Sequence, residues 1–173
     1  HHRARLGLHR DGPPAAGNLH RNVIFRGDAP SRLFSTLDST NPEDLWTWME
    51  TQRGEGRDVL AIPHNSNISN GEMFALQTYT GEPMTADYAD KRMRNEPLVE
   101  VTQVKGTSET NPTLSPNDEW AGFEQYEYFV GSSVRLTSGA GDFVRSAYKR
   151  GLAMQEAEGF NPYKFGLIGS SDT

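Results

Sequence analysis

The chain has 173 residues, enough for one domain, but only 35% are apolar and mean hydropathy is −0.69, so the core is thin and much polar chain must lie in connections or in a site. A net charge of −6 and a pI near 5.3 argue against nucleic-acid binding, which leaves a basic footprint. The absence of cysteine removes disulfides, thiolate metal sites and a cysteine nucleophile without choosing a compartment, and no apolar run of about 18 residues exists to span a membrane.

Residues 1–16 are basic, rich in Pro and Gly, and lack the apolar stretch of a signal peptide; they read as a tag remnant, a linker or a truncated end. Their histidines His1, His2 and His9 are poor ligand candidates for that reason. From Gly17 on, four short apolar runs stand out: "NVIFRG" (22–27), "DVLAIPHN" (58–65), "PLVEVTQVKG" (97–106) and "FGLIGSSD" (165–172). Their length and β-branched content predict strands buried on both faces, as in a parallel sheet. Between the first two, "TNPEDLWTWMETQRG" offers Asn41 as N-cap, Pro42 at the first helical position, Glu43 and Asp44 in the first turn, and Gly54 as stop. Residues 84–96 carry a weaker helical pattern. "GDFVRSAYKRGLAMQEAEG" sets Val144, Tyr148 and Leu152 four apart, with Phe143 and Ala147 alongside, and ends at Gly159. Strand, helix, strand in repetition predicts an α/β fold of parallel βα units. The stretches 66–84 and 106–136 are long and polar without clear period, as site-forming connections often are.

In parallel α/β architectures the reacting groups gather where strands end and loops begin. His64 follows the second run, Glu100 lies in the third, Asp172 ends the fourth, and His20 precedes the first. Nitrogen and oxygen donors brought from separate segments are what a divalent cation needs. Each also has a plain reading: a loop histidine for His64 and His20, one polar residue of an alternating strand for Glu100, a helix N-cap for Asp172. Trp46, Trp48 and the aromatic residues of 123–129 read as packing groups. Ser170 and Ser171 lack a G-x-S-x-G elbow and are weak nucleophile candidates.

At "GNLHRNVIFRG", "NPEDLW", "LAIPHNSNISNGEMF", "EPLVEVTQVKGTSE", "LSPNDEW", "VRSAYKRGLAMQE" and "NPYKFGLIGSSDT" the chain resembles the DUF3604 family of uncharacterised proteins, itself related more distantly to the PHP (polymerase and histidinol phosphatase) metallohydrolases. These phrases cover nearly everything from Gly17 to Thr173. The resemblance implies a part of a PHP-like distorted (βα)7 barrel holding divalent zinc, manganese or iron. On that pattern His20 matches the histidine opening a strand, His64 the histidine of an "AHP"-like strand end, and Asp172 the aspartate of D-x-H. The local text is "PHN" instead of "AHP", no H-x-H occurs, residues 1–16 do not supply the expected Glu, and the chain stops one residue before the D-x-H histidine. The segment therefore reads as an interior piece of a longer protein, inactive or nearly so by itself.

The implied activity is metal-assisted hydrolysis of a small-molecule phosphate or sulfate ester. His20, His64 and Asp172 would be ligands, Asp172 or Asn65 would act on the reacting groups, and Asn67, Glu100 and Lys105 would contact substrate or orient the ligands. The competing expectation is a non-catalytic binding or scaffold segment whose metal site has been lost. Oligomeric state is not readable from these residues.

Overall fold

The computed structural model describes residues 17–128, 133–136 and 139–169, together with the backbone of 2–6. Its strands are β1 (His2–Leu6), β2 (Arg21–Phe25), β3 (Val59–Pro63), β4 (Leu98–Gln103), β5 (Gly106–Thr107) and β6 (Gly166–Gly169). Its α-helices are α1 (Pro42–Gly54), α2 (Ala86–Asn95) and α3 (Val144–Glu158), with short 3₁₀ turns at Ser66–Ile68 and Ala140–Asp142.

α1 forms where its capping residues place it. Asn41 accepts the Glu43 N–H at 2.9 Å, Pro42 opens the helix, and Leu45, Trp46, Met49 and Gln52 line the buried face at helical spacing. The weaker pattern of 84–96 is realised as α2, capped by Thr85 accepting from the Tyr88 N–H at 3.2 Å. α3 spans the expected residues, but its buried face is Val144, Ala147, Gly151 and Met154, and Leu152 is 66% exposed. The rotation has a steric reason. Helix residue 151 packs on Asn161, whose Oδ1 would lie 2.1 Å from any added Cβ, so glycine lets that face approach and turns Leu152 outward.

The four apolar runs become β2, β3, β4 and β6, but they are not all parallel. β2 pairs antiparallel with both β1 and β3, giving the order β1-β2-β3; β4 pairs antiparallel with β5 and parallel with β6, giving β5-β4-β6. The loop after β2 and α1 together return the chain to the end it left, where the Arg26 N–H meets the Asp58 carbonyl at 3.0 Å, so β3 runs back along β2. Only β4–α3–β6 keeps the expected parallel arrangement. β3 lies beside β4, joining the two small sheets into one mixed α/β body. The described strands do not close into a barrel.

One apolar core joins the sheets and helices: Val23, Phe25, Leu45, Met49, Val59 and Ala61 on one side, Phe74, Val99, Val144, Ala147, Tyr163 and Phe165 on the other. Phe74 stands edge-on to Tyr163 at 5.8 Å between centroids and is wholly buried. Among the described residues no helix is long and apolar enough to cross a membrane.

Candidate functional site

The antiparallel register decides the site. Arg21 faces Pro63 in the last rung of the β2/β3 ladder, so the residue before β2 and the residue after β3 are the next pair. The His64 N–H donates to the His20 carbonyl at 3.2 Å, and the two imidazoles lie 5.6 Å apart between centroids, tilted by 46°. In a parallel pair the same two positions would sit at opposite strand ends. His20 and His64 therefore come together, though by a different geometry from the one the sequence led us to expect. His20 is half-buried, and its N–H donates to Asn18 Oδ1 at 3.0 Å; His64 is completely buried.

Beyond His64 the chain turns instead of extending. Asn65 takes a left-handed conformation, φ 57° and ψ 37°, and its Nδ2 lies 3.0 Å from His64 Nδ1. That φ is closed to proline, whose ring fixes φ near −65°, which is the backbone reason for "PHN" here. Asn67 Nδ2 donates to the Lys105 carbonyl at 2.9 Å and its Oδ1 accepts from the Ser108 hydroxyl at 2.9 Å, fastening the 3₁₀ turn to the β4–β5 hairpin. The Asn18 N–H closes the other side on the Ile68 carbonyl at 3.0 Å. Gly17 passes so near this turn that a Cβ would fall 1.9 Å from the Ser69 carbonyl oxygen.

Asp142 pins the same turn from the 3₁₀ turn that precedes α3. Its Oδ1 accepts from the Ser69 hydroxyl at 2.7 Å and the Gly71 N–H at 2.6 Å, and its Oδ2 from the Gly139 N–H at 2.8 Å. Burial pushes its carboxyl above the usual aspartate range, against the pull of these three hydrogen bonds. One residue from His20, Arg21 enters a second buried network. Its Nε donates to Glu96 Oε1 at 2.8 Å, the Trp46 indole N–H donates to the same oxygen at 2.8 Å, and Arg92 Nε stands 3.4 Å from Oε2. Burial opposes the Glu96 charge, but Arg21 and Arg92 outweigh it and hold the carboxyl below its ordinary range. Arg92 also donates to the Met73 carbonyl at 2.8 Å and lies over the Tyr163 ring at 4.9 Å.

Of the expected site residues, His20, His64 and Asn65 meet; Asn67 joins them through the turn, and Lys105 contributes its carbonyl there. Glu100 is buried on β4 in register with Ile168 of β6. Asp172, like Ser170 and Ser171, lies outside the described residues. β6 ends at Gly169, which pairs with Thr102 of β4. Among the described residues no three His, Cys, Asp or Glu side chains gather as a metal-binding group. Asp142, Ser69 and the Arg21–Glu96–Arg92 network escaped sequence reasoning, because the contacts that assemble them, Ser69 to Asp142 and Arg21 to Glu96, join residues more than 70 positions apart, and the local Arg92–Glu96 pair alone reads as an ordinary helical ion pair. The one local hint was charge beside apolar residues, in "HRNVIF" and "RNEPLVE".

A family model described as "Protein of unknown function (DUF3604)" matches residues 11–173. The chain belongs to the DUF3604 family. No curated protein and no solved structure matches it. In this DUF3604 chain the two imidazoles are spaced near the separation that a shared metal ion would impose. Two imidazoles on one zinc, at about 2.0–2.1 Å and near-tetrahedral angle, set their centroids about 5 Å apart, close to the 5.6 Å found.

Proposed function

We propose that this DUF3604 protein is a metal-dependent hydrolase acting on a phosphate or sulfate ester, with its two small sheets forming part of a PHP-like distorted (βα)7 barrel. The observation that carries the reading is the pairing of His20 and His64 at one strand end. Asp172 is assigned as a third ligand on the family resemblance alone. A divalent zinc, manganese or iron ion, when bound, supplies Lewis acidity and makes water a hydroxide source near neutral pH. The chain's own groups do the rest. The buried His64 ring is held by Asn65 and by its strand, so it is oriented before any ligand arrives. Asp142 and Asn67 fix the turn that carries these groups.

Metal analysis of the purified protein tests the reading. Stoichiometric zinc, manganese or iron that falls by at least tenfold in His64→Ala and in His20→Ala, with the fold kept by circular dichroism, supports the hydrolase. Metal-free, well-folded wild type points to the binding or scaffold segment instead.

A further inference from the structure

We infer that Asn65 decides which ring nitrogen of His64 carries the proton, and so whether Nε2 has a lone pair to offer a cation. The metal part of this inference rests on the reading of His64 as a ligand; the tautomer part does not. Along a strand successive side chains point to opposite faces, so neighbours 64 and 65 would not meet. The left-handed turn at Asn65 breaks that alternation immediately after β3 and brings its amide to 3.0 Å from His64 Nδ1. Asparagine is one of the few side chains that enters this conformation readily, and it alone among them brings both a donor and an acceptor on one rotatable group.

As found, Asn65 Nδ2 donates to Nδ1, which places the proton of a neutral ring on Nε2. Asn65 is 1% exposed, and its Oδ1 has no hydrogen-bond partner among the described residues. Among the described residues, His64 is the amide's one hydrogen-bond partner. Turned by 180° about its last bond it accepts from Nδ1–H, and the proton leaves Nε2. That second arrangement is the one imidazole ligands use when they bind through Nε2 and give the other N–H to an oxygen. The amide has two positions, each selecting one tautomer, with the metal-competent one reached by a local rotation.

Long-range proton–nitrogen NMR on metal-free protein reads the tautomer directly. The wild type is expected to carry the His64 proton on Nε2. Asn65→Asp, which can only accept, moves it to Nδ1, and Asn65→Gly keeps the left-handed backbone but removes the amide's bias on the ring. In a zinc titration Asn65→Asp binds at least about tenfold more tightly than Asn65→Gly. The same His64 tautomer in wild type and Asn65→Asp overturns the inference. A tautomer that moves as described in protein that takes up no zinc upholds it and removes the hydrolase reading instead.

Discussion

Two buried polar regions share the N-terminal end of β2, one residue apart, and they are built on opposite principles. Around Arg21 the groups are charged, and each charge meets an opposite one: Glu96 takes Arg21 and Arg92, Trp46 shares its oxygen, and Arg92 finishes on a carbonyl and an aromatic face. Around His20 and His64 the neighbouring side chains are amides and hydroxyls, and several of their polar atoms, Asn65 Oδ1, Ser66 Oγ and Asn22 Oδ1, are buried without a hydrogen-bond partner among the described residues. Paired charge rigidifies and fixes which strands meet, although Arg92 Nε and Glu96 Oε2 face each other at 3.4 Å as an ion pair without a hydrogen bond; the shelf is held by amide and hydroxyl contacts instead of charge. The charged network is the foundation, and the histidine shelf is where the proposed metal would sit.

Breaking the foundation gives the largest expected effect. Glu96→Gln leaves Arg21 and Arg92 buried against each other, so the loss should be about 3–5 kcal/mol in urea unfolding. A loss under about 1 kcal/mol would mean that the network does not hold the sheet. Asp142→Asn should cost about 1–3 kcal/mol, because one amide oxygen cannot accept all three hydrogen bonds of the carboxylate; Ser69→Ala, which removes one of them, about 1 kcal/mol by the same measurement.

The pH dependence separates the two carboxylates by sign. Glu96 is held below the ordinary range, so its contribution is complete above the unfolded glutamate value and is lost as pH falls through the lowered one. Asp142 is pushed above the ordinary range, so the folded state keeps its proton longer and stability falls as pH rises between the unfolded and the raised values. Urea midpoints across pH should lose their acid limb in Glu96→Gln, and should lose the downward slope above the ordinary aspartate range in Asp142→Asn. An unchanged profile in either variant contradicts the corresponding assignment.

The smallest effect belongs to the shelf. Asn65→Gly removes one buried hydrogen bond of about 1 kcal/mol but relieves a left-handed backbone of about 1–2 kcal/mol. The two nearly cancel, so unfolding should move by less than about 1 kcal/mol while the His64 environment changes. A larger destabilisation would make Asn65 part of the foundation after all.

Much of this was readable from local chemistry. Asn41 and Pro42 announced α1, β-branched runs announced β2, β3 and β4, and His20 and His64 were singled out as strand-end residues. Strand direction was not readable, because apolar period says nothing about which way a strand runs; the loop after Phe25 and α1 decide that by returning the chain to its starting end. Nor did period show that Ser66, Asn67 and Ser69 are buried. A polar stretch can go inside only when distant groups receive it, and here the receivers are Lys105, Ser108 and Asp142, some 40 to 70 positions along. The Leu152 error has the same origin, a helix face set by Asn161 on another segment.

The most direct test is anomalous diffraction from crystals of the protein soaked in zinc or manganese. The proposed centre requires a peak between His20 and His64, within about 2.0–2.3 Å of one ring nitrogen of each. A well-ordered pair of rings with no peak between them, or a peak that neither ring touches, contradicts it.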